Sequence, residues 1–143
     1  MPSVSRRLTI EAPPERVWEL VADPHHQPRW WPGVERVEGV APGRFTQVLH
    51  TRKGRPVRID FQITAVDPPH RQVWEQELPG TPFERVLSES VIEVVLEPLS
   101  DGCGVTISQR QQLRGYSRTG GWMLRRATRR KLDEALEGLA EIA

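Results

Sequence analysis

The side chains able to do chemistry are few in this chain, and their spacing restricts what they can do. Its four histidines are His25, His26, His50 and His70, and Cys103 is its single cysteine. His25 and His26 are adjacent, whereas two imidazoles share one helical face at i and i+4, and there is no H-E-x-x-H or second thiol to complete a cage. Within "HHQPRWWPGV", the two histidines therefore read as solvated turn residues, as does His70 after Pro68-Pro69, and no metal is expected. His50 differs because it falls inside a strand pattern, where an imidazole titrating near neutral pH suits general acid–base work. On that strand Phe45, Gln47, Leu49 and Thr51 form one face, and Thr46, Val48, His50 and Arg52 the other. Either face can point inward, so His50 is read both as a pocket proton donor or acceptor and as an exposed strand histidine. Tyr116 is the second candidate for moving protons. Around it, "GYSRTGG" falls one residue away from a nucleophile elbow and reads as a turn opening a helix, with Ser117 or Thr119 as cap. Neither Lys-Ser nor Lys-Thr follows these glycines, so they make no phosphate loop, and "GCG" at 102–104 reads as a hairpin turn. No cofactor is expected.

Apolar and aromatic positions are more informative. Val57, Ile59, Phe61 and Ile63 alternate with Arg58, Asp60, Gln62 and Thr64, as a strand with one internal face does. On the next strand Trp74 alternates with Gln72 and Gln76, and on the last strand Val105 and Ile107 are followed in register by Gln109, Gln111 and Leu113. An apolar wall that becomes amide-lined fits a cavity with a few orienting hydrogen-bonding groups; the alternative places those glutamines at the solvent edge of the sheet. Phe61, Ile63, Trp74 and Met123 are expected as walls, and Trp122 either closes the helix side or anchors the helix start. Trp30 and Trp31 sit on a brief helical corner where neighbours diverge by about 100°. One is expected to pack in the core and the other to form the cavity rim.

Lys and Arg number 20 against 19 Asp and Glu, a net charge of +1, which gives no global case for nucleic acid or an anionic membrane. The charge is nevertheless patterned. Between Gly102 and Leu132 there is no acid, whereas Arg110, Arg114, Arg118, Arg125, Arg126, Arg129, Arg130 and Lys131 are all basic. A solvated face with Arg129–Asp133 and Arg130–Glu134 pairs is one reading. The other gathers Arg118 and Arg125 at a cavity mouth, where they attract an anionic head group. Without a recognition motif or interleaved stacking aromatics, nucleic-acid binding is not expected.

These residues need elements to hold them. Val4 to Ile10 alternates as a strand; "EAPPERVWELVAD" is a short amphipathic helix with Pro14 at its first turn; Pro28 and Pro32 leave room for one more helical turn. Six further strands follow from Val34 to Arg114, separated by "APG", Gly54, "DPPH", "PGTP" and "PLSDGCG". Connections this short favour an antiparallel meander. From Thr119 to Ala143, Leu124, Ala127, Leu132, Ala135, Leu136, Leu139 and Ile142 mark a long amphipathic helix. The expected fold is α+β: a curved seven-stranded antiparallel sheet wrapped around the terminal helix, two short helices between its first two strands, all in a single domain over 1–143. A gap between a curved sheet and a straight helix becomes a cavity wherever large side chains do not fill it. No secretory leader and no run near the roughly 20 apolar residues of a membrane span is visible, so a cytoplasmic protein without integral membrane association is expected.

The segments "IEAPPERVWELVADPHHQPRWWPGV", "VDPPHRQVWE" and "LEPLSDGCGVTI", followed by the terminal helix, resemble the START-like, polyketide cyclase/dehydrase superfamily with its helix-grip fold. The local signature is A-P-x-E-x-V-W, a later D-P and W-P-x-V, then D-P-P and D-G-x-x-V. The resemblance implies a small hydrophobic or amphipathic molecule (lipid-, polyketide- or aromatic-like) held between sheet and terminal helix. On this reading Trp30, Trp31, His50, Phe61, Ile63, Trp74, Gln109, Gln111, Trp122, Met123 and Arg125 are the candidate contacts. One alternative is a cyclase or dehydratase that holds a flexible chain folded while His50 or Tyr116 moves protons. Another is a protein-interaction module or a quinone or lipid carrier, and an exposed edge strand offers a route to a homodimer.

Overall fold

The computed structural model describes residues 3–50, 53–115 and 118–143. Strand β1 (Ser3–Ile10) leads into helix α1 (Pro14–Ala22), a 3-10 turn (Pro24–His26) and the single-turn helix α2 (Gln27–Trp30). Strands β2 (Val34–Ala41), β3 (Arg44–His50), β4 (Pro56–Asp67), β5 (Arg71–Gln76), β6 (Leu87–Leu99) and β7 (Gly102–Leu113) follow, with a second 3-10 turn (Pro82–Arg85) before β6. Helix α3 (Arg118–Ile142) ends the chain.

All seven strands form one antiparallel sheet in the order β1-β7-β6-β5-β4-β3-β2. β2 to β7 are thus a meander, and β1 closes it by pairing with β7. "GCG" is not the hairpin turn that its composition suggested: Gly102 already pairs with Leu99, and the turn is Ser100–Asp101. Gly102 adopts φ +150°, and a Cβ there would lie 2.2 Å from the Ile10 carbonyl oxygen, so only glycine lets the end of β1 pass this close.

Pro14 opens α1, whose Val17, Leu20 and Val21 are buried, and Asp23 ends it. The Asp23 carboxylate then accepts from the backbone N–H of His25 and from its ring Nδ1, at 3.0 and 2.9 Å. His25 is consequently tied into an exposed corner, and among the described residues no cluster of metal-ligating side chains forms.

One face of the sheet carries the core. Neighbouring strands place Val4, Gln109, Ile92, Trp74 and Ile63 in one row across it. Helix α3 packs on β1, β7 and α2 through Leu132, Ala135, Leu136 and Leu139. At Gly138 a Cβ would stand 2.8 Å from the Trp30 carbonyl oxygen, so this glycine sets the close approach of α3 to α2. Asp133 is drawn to Arg6 of β1 at 2.8 Å, in place of the expected pairing with Arg129. No described helix is long and apolar enough to cross a membrane.

Candidate ligand pocket between β7 and α3

The interior has two ends of opposite character. On β3, β4, β5 and α2, five aromatic residues occupy the space under the helix. Phe45 and Phe61 stack with ring centres 5.2 Å apart, and Trp74 meets Phe45 edge-on at 5.4 Å and Trp31 at 5.4 Å. Trp30 stands against Trp31 at 86°. All five are buried, and each edge-to-face contact adds about 1 kcal/mol to the area it hides. Two of the indole N–H groups have partners: Trp74 Nε1 donates to Gln72 Oε1 at 2.7 Å and Trp30 Nε1 to the Leu20 carbonyl at 3.2 Å. Gln47 donates to Gln27 at 2.8 Å, and the Gln27 Nε2 has no partner among the described residues. This end is a packed core.

At the other end, β7, β1 and the first turns of α3 leave a pocket of about 240 Å³. Val4, Leu113 and Leu124 supply apolar wall, and Gln109, Gln111, Arg125 and Thr128 supply polar atoms. The Thr128 hydroxyl donates to Gln111 Oε1 at 3.0 Å. Gln109 is 4% exposed, yet its Oε1 has no hydrogen-bond partner among the described residues. The same is true of Ser90 Oγ, whose residue pairs with Gln111 across β6 and β7. A buried acceptor left without a donor costs about 1–3 kcal/mol. Small polar ligands and water are the usual remedies for such a group.

The residues expected at the site divide accordingly. Gln109, Gln111 and Arg125 line the pocket. Phe61, Ile63 and Trp74 face the same interior but at its packed end, and they do not line this pocket. Trp30 and Trp31 were expected to divide between core and rim, but both are buried, at 3% and 4% exposure. The reason is local: Trp31 follows the last helical residue with extended backbone (φ −84°, ψ 122°), so the helical divergence of neighbours does not apply to it. Trp122 and Met123, expected at the helix side and wall, are 52% and 59% exposed. At about 100° per residue they fall away from the stripe on which Leu124 and Thr128 lie, and the Arg126 guanidinium covers the Trp122 ring at 5.6 Å.

His50 lies on the face opposite Phe45 and Gln47, where its ring pairs with Glu35 of β2 and remains 40% exposed. It therefore faces away from the pocket. Tyr116 and Ser117 lie outside the described residues. Sequence spacing did not single out Thr128, Ser90 or Lys131. Lys131 follows Leu124 and Thr128 on the inward stripe of α3, with its ammonium 5.8 Å from the Trp31 ring centre. Desolvation by burial lowers its pKa from 10.5 to about 8.

A family model described as polyketide cyclase / dehydrase and lipid transport matches residues 1–143, and the chain belongs to that family. No curated protein matches the chain. Among solved structures it is similar to the di-domain ARO/CYC protein BexL, with a TM-score of 0.81 and 24% identity over 99% of this chain and 46% of that one. A second di-domain ARO/CYC protein, StfQ of the steffimycin biosynthetic pathway, gives a TM-score of 0.78 and 15% identity over 98% of this chain and 49% of that one. The chain thus spans about half the length of each. A START superfamily protein from Mycobacterium smegmatis is similar over 97% of this chain and 94% of its own, with a TM-score of 0.78 and 13% identity. At these identities the likeness is one of fold, and it matches the helix-grip architecture of sheet and terminal helix.

Proposed function

We propose that the protein binds a small, largely apolar molecule carrying a hydroxyl or similar donor in the pocket between β7, β1 and the start of α3. The observation that carries this reading is the buried, unpartnered Gln109 oxygen in a pocket whose apolar wall is Val4, Leu113 and Leu124. Family membership supports a ligand-binding or cyclase role for the fold. A volume of about 240 Å³ lies below the usual range for drug-sized ligands and suits a molecule of one or two rings. Arg125 at the same pocket suits an acidic substituent, and among the described residues no carboxylate engages it. Among the described lining residues Arg125 is the only ionisable side chain, so the lining favours binding over the convergent acid–base pair that a cyclase or dehydratase requires.

Naphthol and naphthalene test the reading with calorimetry. Naphthol should bind about 5- to 10-fold more tightly, the worth of one satisfied buried hydrogen bond, and Gln109→Leu should erase that preference. Equal affinity of the two compounds in the native protein overturns the role given to Gln109. Naphthoate affinity should fall in Arg125→Ala and weaken with added salt. Native mass spectrometry of the purified protein then identifies the natural occupant.

A further inference from the structure

Helix α3 segregates its charge along its length. From position 118 to 131 it carries six bases and no acid, and positions 133 to 143 carry four acids and no base. This order opposes the helix macrodipole, which favours acids at the start and bases at the end. On the sheet, Arg36, Arg58, Arg71 and Arg110 each meet a strand carboxylate. On α3 the sole described ion pair is that of Asp133 with Arg6. Arg130 and Glu134 stand one turn apart without pairing, and Arg126 lies over the Trp122 ring rather than against a carboxylate.

The unpaired charges share one face. At 100° per residue Met123, Arg126, Arg130, Glu134, Glu137 and Glu141 fall within about 80° of the helix circumference, and all six are exposed. Leu124, Arg125 and Thr128, which line the pocket, lie on the opposite side. Along the axis the outward strip is basic and then acidic, so it is its own complement when reversed. About a two-fold axis near position 132, Arg130 and Glu134 stand at equal axial distances of about 3 Å, and Arg126 and Glu137 at about 8 Å. Two antiparallel copies therefore set each base opposite an acid, as an isologous contact requires. Trp122 and Met123, 52% and 59% exposed, then come over the last turn of the other helix. Parallel copies would set like charges together.

We propose that two copies of this chain associate through the outward face of α3, antiparallel. Arg126 and Arg130 of each copy face Glu137 and Glu134 of the other, and Trp122 and Met123 close the two ends. The surface is one helix face and mostly polar, so the dimer is weak, with a Kd on the order of 100 µM, and sensitive to salt.

Sedimentation equilibrium of the full chain is the test. A monomer–dimer equilibrium that weakens with added salt is expected. Arg126→Glu with Arg130→Glu makes the strip wholly acidic, and Glu134→Arg with Glu137→Arg makes it wholly basic. Each double variant alone should self-associate about tenfold or more weakly, and an equimolar mixture should restore a dimer holding one copy of each. Circular dichroism checks that both are folded; should a reversed helix unfold, Glu134→Gln with Glu137→Gln removes the same attractions and should weaken the dimer likewise. A chain that stays monomeric up to about 1 mM, a dimer untouched by either reversal, or a mixture that stays monomeric overturns the proposal. So does a monomer that floats with phosphatidylglycerol vesicles and loses this in Arg126→Glu with Arg130→Glu, which assigns the basic half to an anionic membrane surface.

Discussion

The two ends of the interior are built on the same sheet and under the same helix, yet one is full and the other is not. At the end formed by β3, β4, β5 and α2, five rings interlock, and the Trp30 and Trp74 N–H groups have partners. At the β7 and β1 end, amide side chains replace rings, and the Gln109 oxygen is left without a donor. Helix α3 runs across both. What separates the two ends is what the strands and α2 present to the helix: five rings close the gap at one, and Gln109 and Gln111 of β7 line an open pocket at the other. The Trp74 to Gln109 row shows how short the boundary is, since one strand, β6 with Ile92, stands between them.

If the aromatic end carries stability, Trp74→Ala should have the largest effect. A loss of about 3–5 kcal/mol is expected in denaturant unfolding, because the site is walled by other rings and cannot collapse. Gly138→Ala comes next. In most helices this change gains up to about 1 kcal/mol, but here the methyl group meets the Trp30 backbone. A loss of about 1–3 kcal/mol from overpacking is expected by the same measurement.

Lys131 sits between the two ends and supplies a pH test. Its pKa is lowered to about 8 in the folded protein from 10.5, so between those values the unfolded chain binds more protons and stability rises with pH. Below about 8 the amine is charged in both states, and its desolvation cost is fully present. Across this interval the urea midpoint of the native protein should climb relative to that of Lys131→Met, the buried Cys103 thiol, whose raised pKa acts in the opposite sense, being common to both. The contribution is on the order of 1–2 kcal/mol for a partly open group.

The smallest effect belongs to His50. Its exposed pairing with Glu35 should contribute no more than about 0.5 kcal/mol, so His50→Ala should leave both the melting temperature and naphthol affinity almost unchanged. A large loss of affinity would place the binding site elsewhere on the molecule.

The elements were legible in the sequence where pattern and period agree. Val57, Ile59, Phe61 and Ile63 announce a strand, and the leucines from 124 to 139 a helix, because each period matches its geometry. The site was only half legible. Gln109 and Gln111 follow Val105 and Ile107 in register, so their face could be read, although their isolation from partners could not. The face of β3 stayed ambiguous because Phe45 and Leu49 on one side are matched by Val48 on the other, and both sides are buried at mid-strand. Trp30 and Trp31 were divided between core and rim by applying a helical rule one residue past the end of the helix, whereas both are buried. Lys131 was hidden in a run of arginines that reads as a solvated face. Only its position on the wheel, below Leu124 and Thr128, distinguishes it from them, and burial is decided by α2, a remote segment.

The pairing of β1 with β7 also sets an order of assembly. Ser3 lies opposite Arg110 and Ile10 opposite Cys103, so the first strand of the chain waits for the last before its edge is covered. β2 to β7 join through adjacent hairpins, whereas this closure joins residues about a hundred positions apart, and contacts of such separation slow folding. During synthesis from the N-terminus, β1 is therefore made early and housed late. Its alternating Ser5, Arg7 and Thr9 keep the waiting strand polar on one side, a sequence-level guard against pairing with the wrong edge.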